Sequence, residues 1–119
     1  MQNRVISKKD LAGFVDSLIK TKAAGAINAK FMKTGVLEAC EIARLAKRSG
    51  VKLMIGTMME TPLAVTAAAH LAAGLGGFDF VDLDAPFFMA ENVTRGNFVT
   101  RSGVYDLRKV KSGIGVVPI

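Results

Sequence analysis

The chain has 119 residues, 50% hydrophobic and 22% charged, which is enough apolar side chain for one buried core and far from a disordered composition. Sixteen Lys and Arg against ten Asp and Glu give a formal net charge of +6, but the basic residues are spread along the chain, which reads as solvated surface rather than a nucleic-acid footprint. No stretch reaches the ~18 uninterrupted apolar residues of a membrane span, MQNRVISKKD lacks the apolar core of a signal peptide, and the lone Cys40 excludes an internal disulfide, so a cytoplasmic protein is expected.

Ser7 followed by Asp10 has the form of a capping box. Leu11, Phe14, Val15, Leu18 and Ile19 then recur at helical spacing, predicting a helix over 8–23 that Gly25 ends. AINAKF reads as a short buried strand, and Lys30 stands where such a strand would carry another Ile or Val. VLEACEIARLAKRSG puts Val36, Leu37, Cys40, Ile42, Ala43 and Leu45 on one broad helical face, with Cys40 a small buried hydrophobe, and stops in basic residues and Gly50. VKLMIG is a second apolar strand. TPLAVTAAAHLAAGLGG then offers Thr61 as N-cap and Pro62 at the first helical position, predicting a helix from 62 to 73 buried on more than one side. His70 within it reads as a core or helix-end histidine, and the glycines after it as a cap and turn. FDFVDLD is a third strand, and residues 85–119 carry no helical period, as for a loop or hairpin returning across the molecule.

Strands near 25–31, 51–56 and 79–84, each about one strand-helix unit apart, have the rhythm of a parallel sheet, so the fold class is α/β. Lys30, Glu60, Asp82 and Asp84 all fall at or just beyond the C-terminal ends of these strands, the edge where α/β folds build their sites. Asp82 and Asp84, two apart in an extended stretch, should point to one side, with Val81 and Leu83 opposite. Two neighbouring carboxylates want a cation. Taken singly, the aspartates read first as turn and N-cap residues and Lys30 as a snorkelling lysine; their convergence at three strand ends argues for a site.

INAKFMKTGVLEACEIARLAKRSGVKLMIGTMMET, followed by FVDLDAP and a tail ending SGIGVVP, resembles the C-terminal part of the muconate-lactonizing and mandelate racemase branch of the enolase superfamily, especially its dipeptide epimerases. The resemblance runs from about residue 6 onward and rests on three runs: IN-x-K-x-x-K, G-x-M-x-E and D-x-D. It implies the last three strand-helix units of a (β/α) barrel with an irregular tail, one domain over residues 1–119. Lys30 would be one of two acid/base lysines flanking the substrate α-carbon, Asp82 and Asp84 would bind the α-ammonium of a dipeptide-like small molecule, and Met58 and Glu60 would also contact substrate. Mg²⁺ would stabilise the enediolate, held by Asp and Glu on barrel strands outside these residues. The partner lysine and the capping domain that receives residues 85–119 lie outside them as well. The chain alone is therefore expected to be inactive, to bind Mg²⁺ poorly, and to associate with a second copy or a complementing N-terminal portion. One departure is Val36, where many relatives carry a second glycine after Gly35. The alternative reading is a non-catalytic basic α/β module whose Arg95, Arg101, Arg108, Lys109 and Lys111 contact nucleic acid or another anionic surface.

Overall fold

The computed structural model describes residues 8–96 and 103–119, with side chains from residue 13 onward. The capping box that starts at Ser7, and Arg101 of the basic tail, lie outside the described residues. Three parallel strands form the centre: β1 (Ala26–Ala29), β2 (Lys52–Gly56) and β3 (Phe80–Asp82), in the order β1-β2-β3. They alternate with α1 (Lys8–Lys20), α2 (Phe31–Arg48) and α3 (Pro62–Leu75), the expected α/β arrangement.

The helices differ from expectation in instructive ways. α1 stops at Lys20, not residue 23, because Lys22 turns left-handed (φ 53°). Ala23 N–H then reaches Leu18 O and Lys22 N–H reaches Ile19 O, both at 3.0 Å, which closes the last turn before Gly25 is reached. α2 begins at Phe31, five residues earlier than the apolar pattern suggests, because a first turn forms directly after β1. Gly35 (φ 75°, ψ 177°) separates that turn from the helix proper in a conformation open essentially to glycine alone, so the one glycine the loop needs is present even with Val36 beside it. The buried face of α2 is Ala39, Ile42, Ala43 and Ala46, spaced i, i+3, i+4, i+7. Leu37 is 84% exposed, Val36 is also exposed, and Cys40 is half-buried rather than buried. Small alanines let the helix axis lie close to the strands, and that requirement outweighs the larger side chains one turn away. α3 keeps its expected start, with Thr61 Oγ1 accepting from Ala64 N–H at 3.5 Å, and runs to Leu75, where Lys47 Nζ donates to the Leu75 carbonyl at 2.6 Å.

Two faces of the sheet arise from register. Ala29, Leu53 and Ile55 lie buried beneath the helices, with Val65, Ala68 and Ala69 of α3 packed over Ile55. Burying one such side chain contributes roughly 1.5–3 kcal/mol. The opposite face carries Asn28, Met54, Gly56, Phe80 and Asp82, with Met54 opposite Phe80 and Gly56 opposite Asp82. The Asn28 side chain lies so close over Gly56 that a Cβ there would meet its amide at 2.8 Å. Lys52 Nζ sits 5.8 Å from the Phe80 ring centroid on this same face. β3 starts one residue later than expected because Asp79 Oδ2 accepts from Leu53 N–H at 2.8 Å, pinning the strand entrance.

The returning tail is a hairpin-like ribbon: β4 (Thr94–Arg95) pairs antiparallel with β5 (Val117–Pro118), and short 3-10 turns occupy Ala85–Phe88 and Leu107–Lys109. Among the described residues, two hydrogen bonds tie it to the α/β body. Tyr105 Oη donates to the Leu83 carbonyl at 2.6 Å, and His70 Nε2 lies 3.1 Å from the Ile114 carbonyl, which gives His70 a structural partner.

Gly96 (φ 94°) packs its Cα against the Gly115 carbonyl, so a Cβ would strike backbone rather than a movable side chain. Gly96→Ala should cost about 1–3 kcal/mol. It should also speed exchange of the Ile119 amide, which donates to Val93 O; an unchanged urea midpoint would count against this packing. Burial, with the Asp84 charge adding to it, pushes the Tyr105 hydroxyl from 10.0 up to about 12. The folded state holds that proton longer than the unfolded chain, so its stabilisation is complete below pH 10 and is lost as pH rises through about 12. Urea titrations across that window should show a steeper loss for the parent than for Tyr105→Phe.

Candidate active site

Parallel strands end together, so the residues just beyond β1, β2 and β3 meet at one rim. Lys30 is the first residue beyond β1 and the N-cap of α2, its backbone still extended (φ −134°, ψ 126°). Its side chain makes no capping hydrogen bond. Instead Nζ donates to the Thr57 carbonyl, just past β2, at 2.8 Å, and lies 3.8 Å from Met58 Sδ. Lys30 is half-buried: its stem leans on protein while the ammonium spans from the end of one strand to the end of the next. Thr57 is buried and its hydroxyl reaches toward the Asp82 carbonyl at a long 3.4 Å, so one residue touches all three strand ends.

Glu60 is only 5% exposed. Oε1 accepts from Met32 N–H at 2.6 Å, and Oε2 is buried without a hydrogen-bond partner among the described residues. Asp82 ends β3 on the open face of the sheet. Asp84 has left the strand: its backbone is helical (φ −91°, ψ −11°) and it opens the Ala85–Phe88 turn, so the expected extended stretch to residue 84 stops at Asp82. Pro86 in that turn explains the departure, since its fixed φ suits a helical start and ends the ladder. Asp82 and Asp84 nonetheless line one cleft with Phe87 and Tyr105, but Val81 and Leu83, expected on the opposite side, line that cleft too, as well as the groove beside α3. Of the residues singled out from sequence, Lys30 and Met58 are brought into contact, Asp82 and Asp84 share a cleft, and Glu60 lies behind the rim rather than on it.

An amine at a strand-end rim can move a proton at a carbon above it, and a paired carboxylate cleft can take an ammonium group. A hard divalent cation is a different matter. It needs about six oxygen ligands, and among the described residues no three His, Cys, Asp or Glu side chains converge on one point. In the tail, Arg108, one of the residues of the basic-module reading, is held by both Asp106 oxygens at 2.8 Å, pulling the Asp106 carboxyl down to about 2. Sequence reasoning missed Thr57 and Tyr105. Tyr105 acts through the Leu83 carbonyl and Thr57 through its own carbonyl as well as that of Asp82, and only the position of Thr57 directly after a strand-ending glycine signals it.

The chain matches the enolase C-terminal domain-like family over residues 10–118. It is 50% identical over 100 residues to the hydrophobic dipeptide epimerase of Citrifermentans bemidjiense, covering 84% of this chain and 27% of that protein. The mandelate racemase/muconate lactonizing enzyme structure from Roseiflexus sp. superposes with a TM-score of 0.85 at 43% identity, covering 97% of this chain and 32% of that one. The Enterococcus faecalis V583 dipeptide epimerase, solved with Mg and the dipeptide L-Leu-L-Tyr, superposes with a TM-score of 0.78 at 34% identity, covering 88% of this chain and 30% of that one. The chain therefore spans about a third or less of the length of these relatives. With the family pattern met from residue 10 to residue 118 and the parallel strand-helix units in place, the chain belongs to the mandelate racemase/muconate lactonizing branch of the enolase superfamily.

Proposed function

We propose that the chain is the C-terminal portion of an epimerase that moves the α-proton of a dipeptide or related amino-acid derivative. The observation that carries this is the Lys30 ammonium, held over the strand ends by the Thr57 carbonyl, with Asp82 on the same edge of the sheet. Support comes from the activities of relatives, among them the hydrophobic dipeptide epimerase and the Mg- and dipeptide-bound Enterococcus enzyme. In this reading Lys30 takes or returns the proton at the α-carbon, Asp82 and Asp84 hold the α-ammonium, and Met58 bounds the space beside Lys30. The Thr57 bond fixes the rotamer of a long, flexible side chain in advance, so less freedom is lost when substrate arrives. Mg²⁺ would supply charge stabilisation to the complete enzyme from ligands beyond the described residues. Residues 85–119 would meet a capping domain through their outward apolar side chains, Phe87, Phe88 and Ile119 among them.

The test is a chimera in which this chain replaces the matching segment of the Citrifermentans relative. Lys30→Ala should lower kcat by about 10²–10⁴ and change KM little, because it removes a proton-transfer group. Asp82→Asn and Asp84→Asn should raise KM more than they lower kcat, since an ammonium contact is present in ground and transition states alike. N-acetylated dipeptides should be poor substrates of the parent and lose less to either aspartate change. Equal losses on both substrate forms would assign the aspartates to structure. The 119-residue chain by itself should neither bind Mg²⁺ tightly in calorimetry nor exchange a dipeptide α-proton in deuterated water followed by NMR.

A further inference from the structure

We infer that Glu60 is a positioning residue: it caps the first turn of α2 from another loop and thereby frees Lys30 to reach across the site. The first N–H groups of a helix have no partner within the helix and are normally served by the side chain of the N-cap residue, with Ser, Thr, Asp and Asn preferred. Here the N-cap is Lys30, which has no acceptor to offer, and its side chain is committed to the Thr57 carbonyl at 2.8 Å. The Met32 N–H that a capping side chain would take is bonded instead to Glu60 Oε1 at 2.6 Å, a short charge-assisted bond spanning 28 residues of sequence.

Stability alone does not account for this carboxylate. Glu60 is almost fully buried, and Oε2 has no partner among the described residues, a placement that costs free energy. An apolar side chain of the same length would fill the space without that cost but would leave the Met32 N–H without this acceptor. What the carboxylate supplies is a fixed distance between the loop after β2, which carries Thr57 and Met58, and the turn after β1, which carries Lys30. Thr34 Oγ1 and the Lys33 and Thr34 N–H groups bond back to the Lys30 carbonyl, so the turn moves as a unit with Lys30. Gly35 marks its far boundary. Glu60 ties this turn to the loop after β2, so the Lys30 ammonium and the Thr57 carbonyl stay in register.

The inference deepens the epimerase reading and rests on it for its catalytic half, while its structural half is independent of activity. Two variants separate the parts: Glu60→Gln keeps an acceptor for Met32, and Glu60→Met keeps the volume but removes it. On the 119-residue chain, amide exchange at Met32 should be about 10- to 100-fold faster in Glu60→Met than in the parent, as for loss of one charge-assisted hydrogen bond. Glu60→Gln should stay close to the parent. In the chimera, Glu60→Met should lower kcat by about 10²-fold, the scale of a misplaced catalytic group, with little change in KM. Glu60→Gln should retain most of kcat. Unchanged Met32 exchange in Glu60→Met would overturn the capping role even if no chimera were active. A rise in KM with kcat unchanged would overturn the positioning role and return Glu60 to direct substrate contact. Equal damage from both variants would overturn it as well, since the amide oxygen can still accept.

Discussion

The carbonyls at the C-terminal end of a parallel strand run out of ladder partners, and each one buried unpaired would cost about 1–3 kcal/mol. Among the described residues, carbonyls at or just beyond the ends of β2 and β3 are satisfied by side chains from elsewhere: Thr57 by the Lys30 ammonium, Leu83 by the Tyr105 hydroxyl and, at a longer distance, Asp82 by the Thr57 hydroxyl. The bonds that complete the sheet edge are therefore the bonds that position the amine and bracket the two aspartates. Fold and candidate site share these hydrogen bonds, so a change in one bears on the other.

Around that edge the packing is close. Alanines at 39, 43 and 46 of α2 and at 68 and 69 of α3 bring both helices near Leu53 and Ile55. Close approach keeps the sheet rigid, which a site assembled from three strand ends requires. The outer strands are less finished. Val81 on β3 is 58% exposed and Phe80 is exposed beside it, and β1 and β3 each have one strand neighbour among the described residues. An edge strand bearing apolar side chains is an incomplete surface, in keeping with a chain that covers 27% of its Citrifermentans relative.

Much of this is legible in the sequence, for physical reasons. Apolar runs broken by helical periods give parallel strands at regular intervals, and parallel strands force Lys30, Asp82 and the residues before Glu60 to one edge. The buried face of α2 is legible in part: Ile42 and Ala43 are buried as expected, but Ala39 and Ala46 carry little hydrophobic signal while Leu37 and Val36 carry much and are exposed. The end of α1 departs from its pattern because a lysine, not the glycine, takes the left-handed position. Periodicity extends the third strand to Asp84, yet Pro86 two residues on is a local signal against it, and the proline prevails. The tie between Glu60 and Met32 is beyond reach of sequence: it joins two loops whose proximity depends on strand register, and nothing local in either loop encodes it.

That register also limits how the sequence can drift by insertion and deletion. Gly56 faces Asp82 and Ile55 faces Val81, and side chains along a strand alternate between the helix-covered face and the open one. Losing or gaining one residue within β3 would exchange the two faces, setting a carboxylate beneath α3 and a valine at the rim. Changes of two residues preserve parity but shift Asp82 along the edge. Length changes in this lineage should accordingly collect in connections such as that between Gly76 and Asp79, and the three short strands should keep their lengths while their side chains vary.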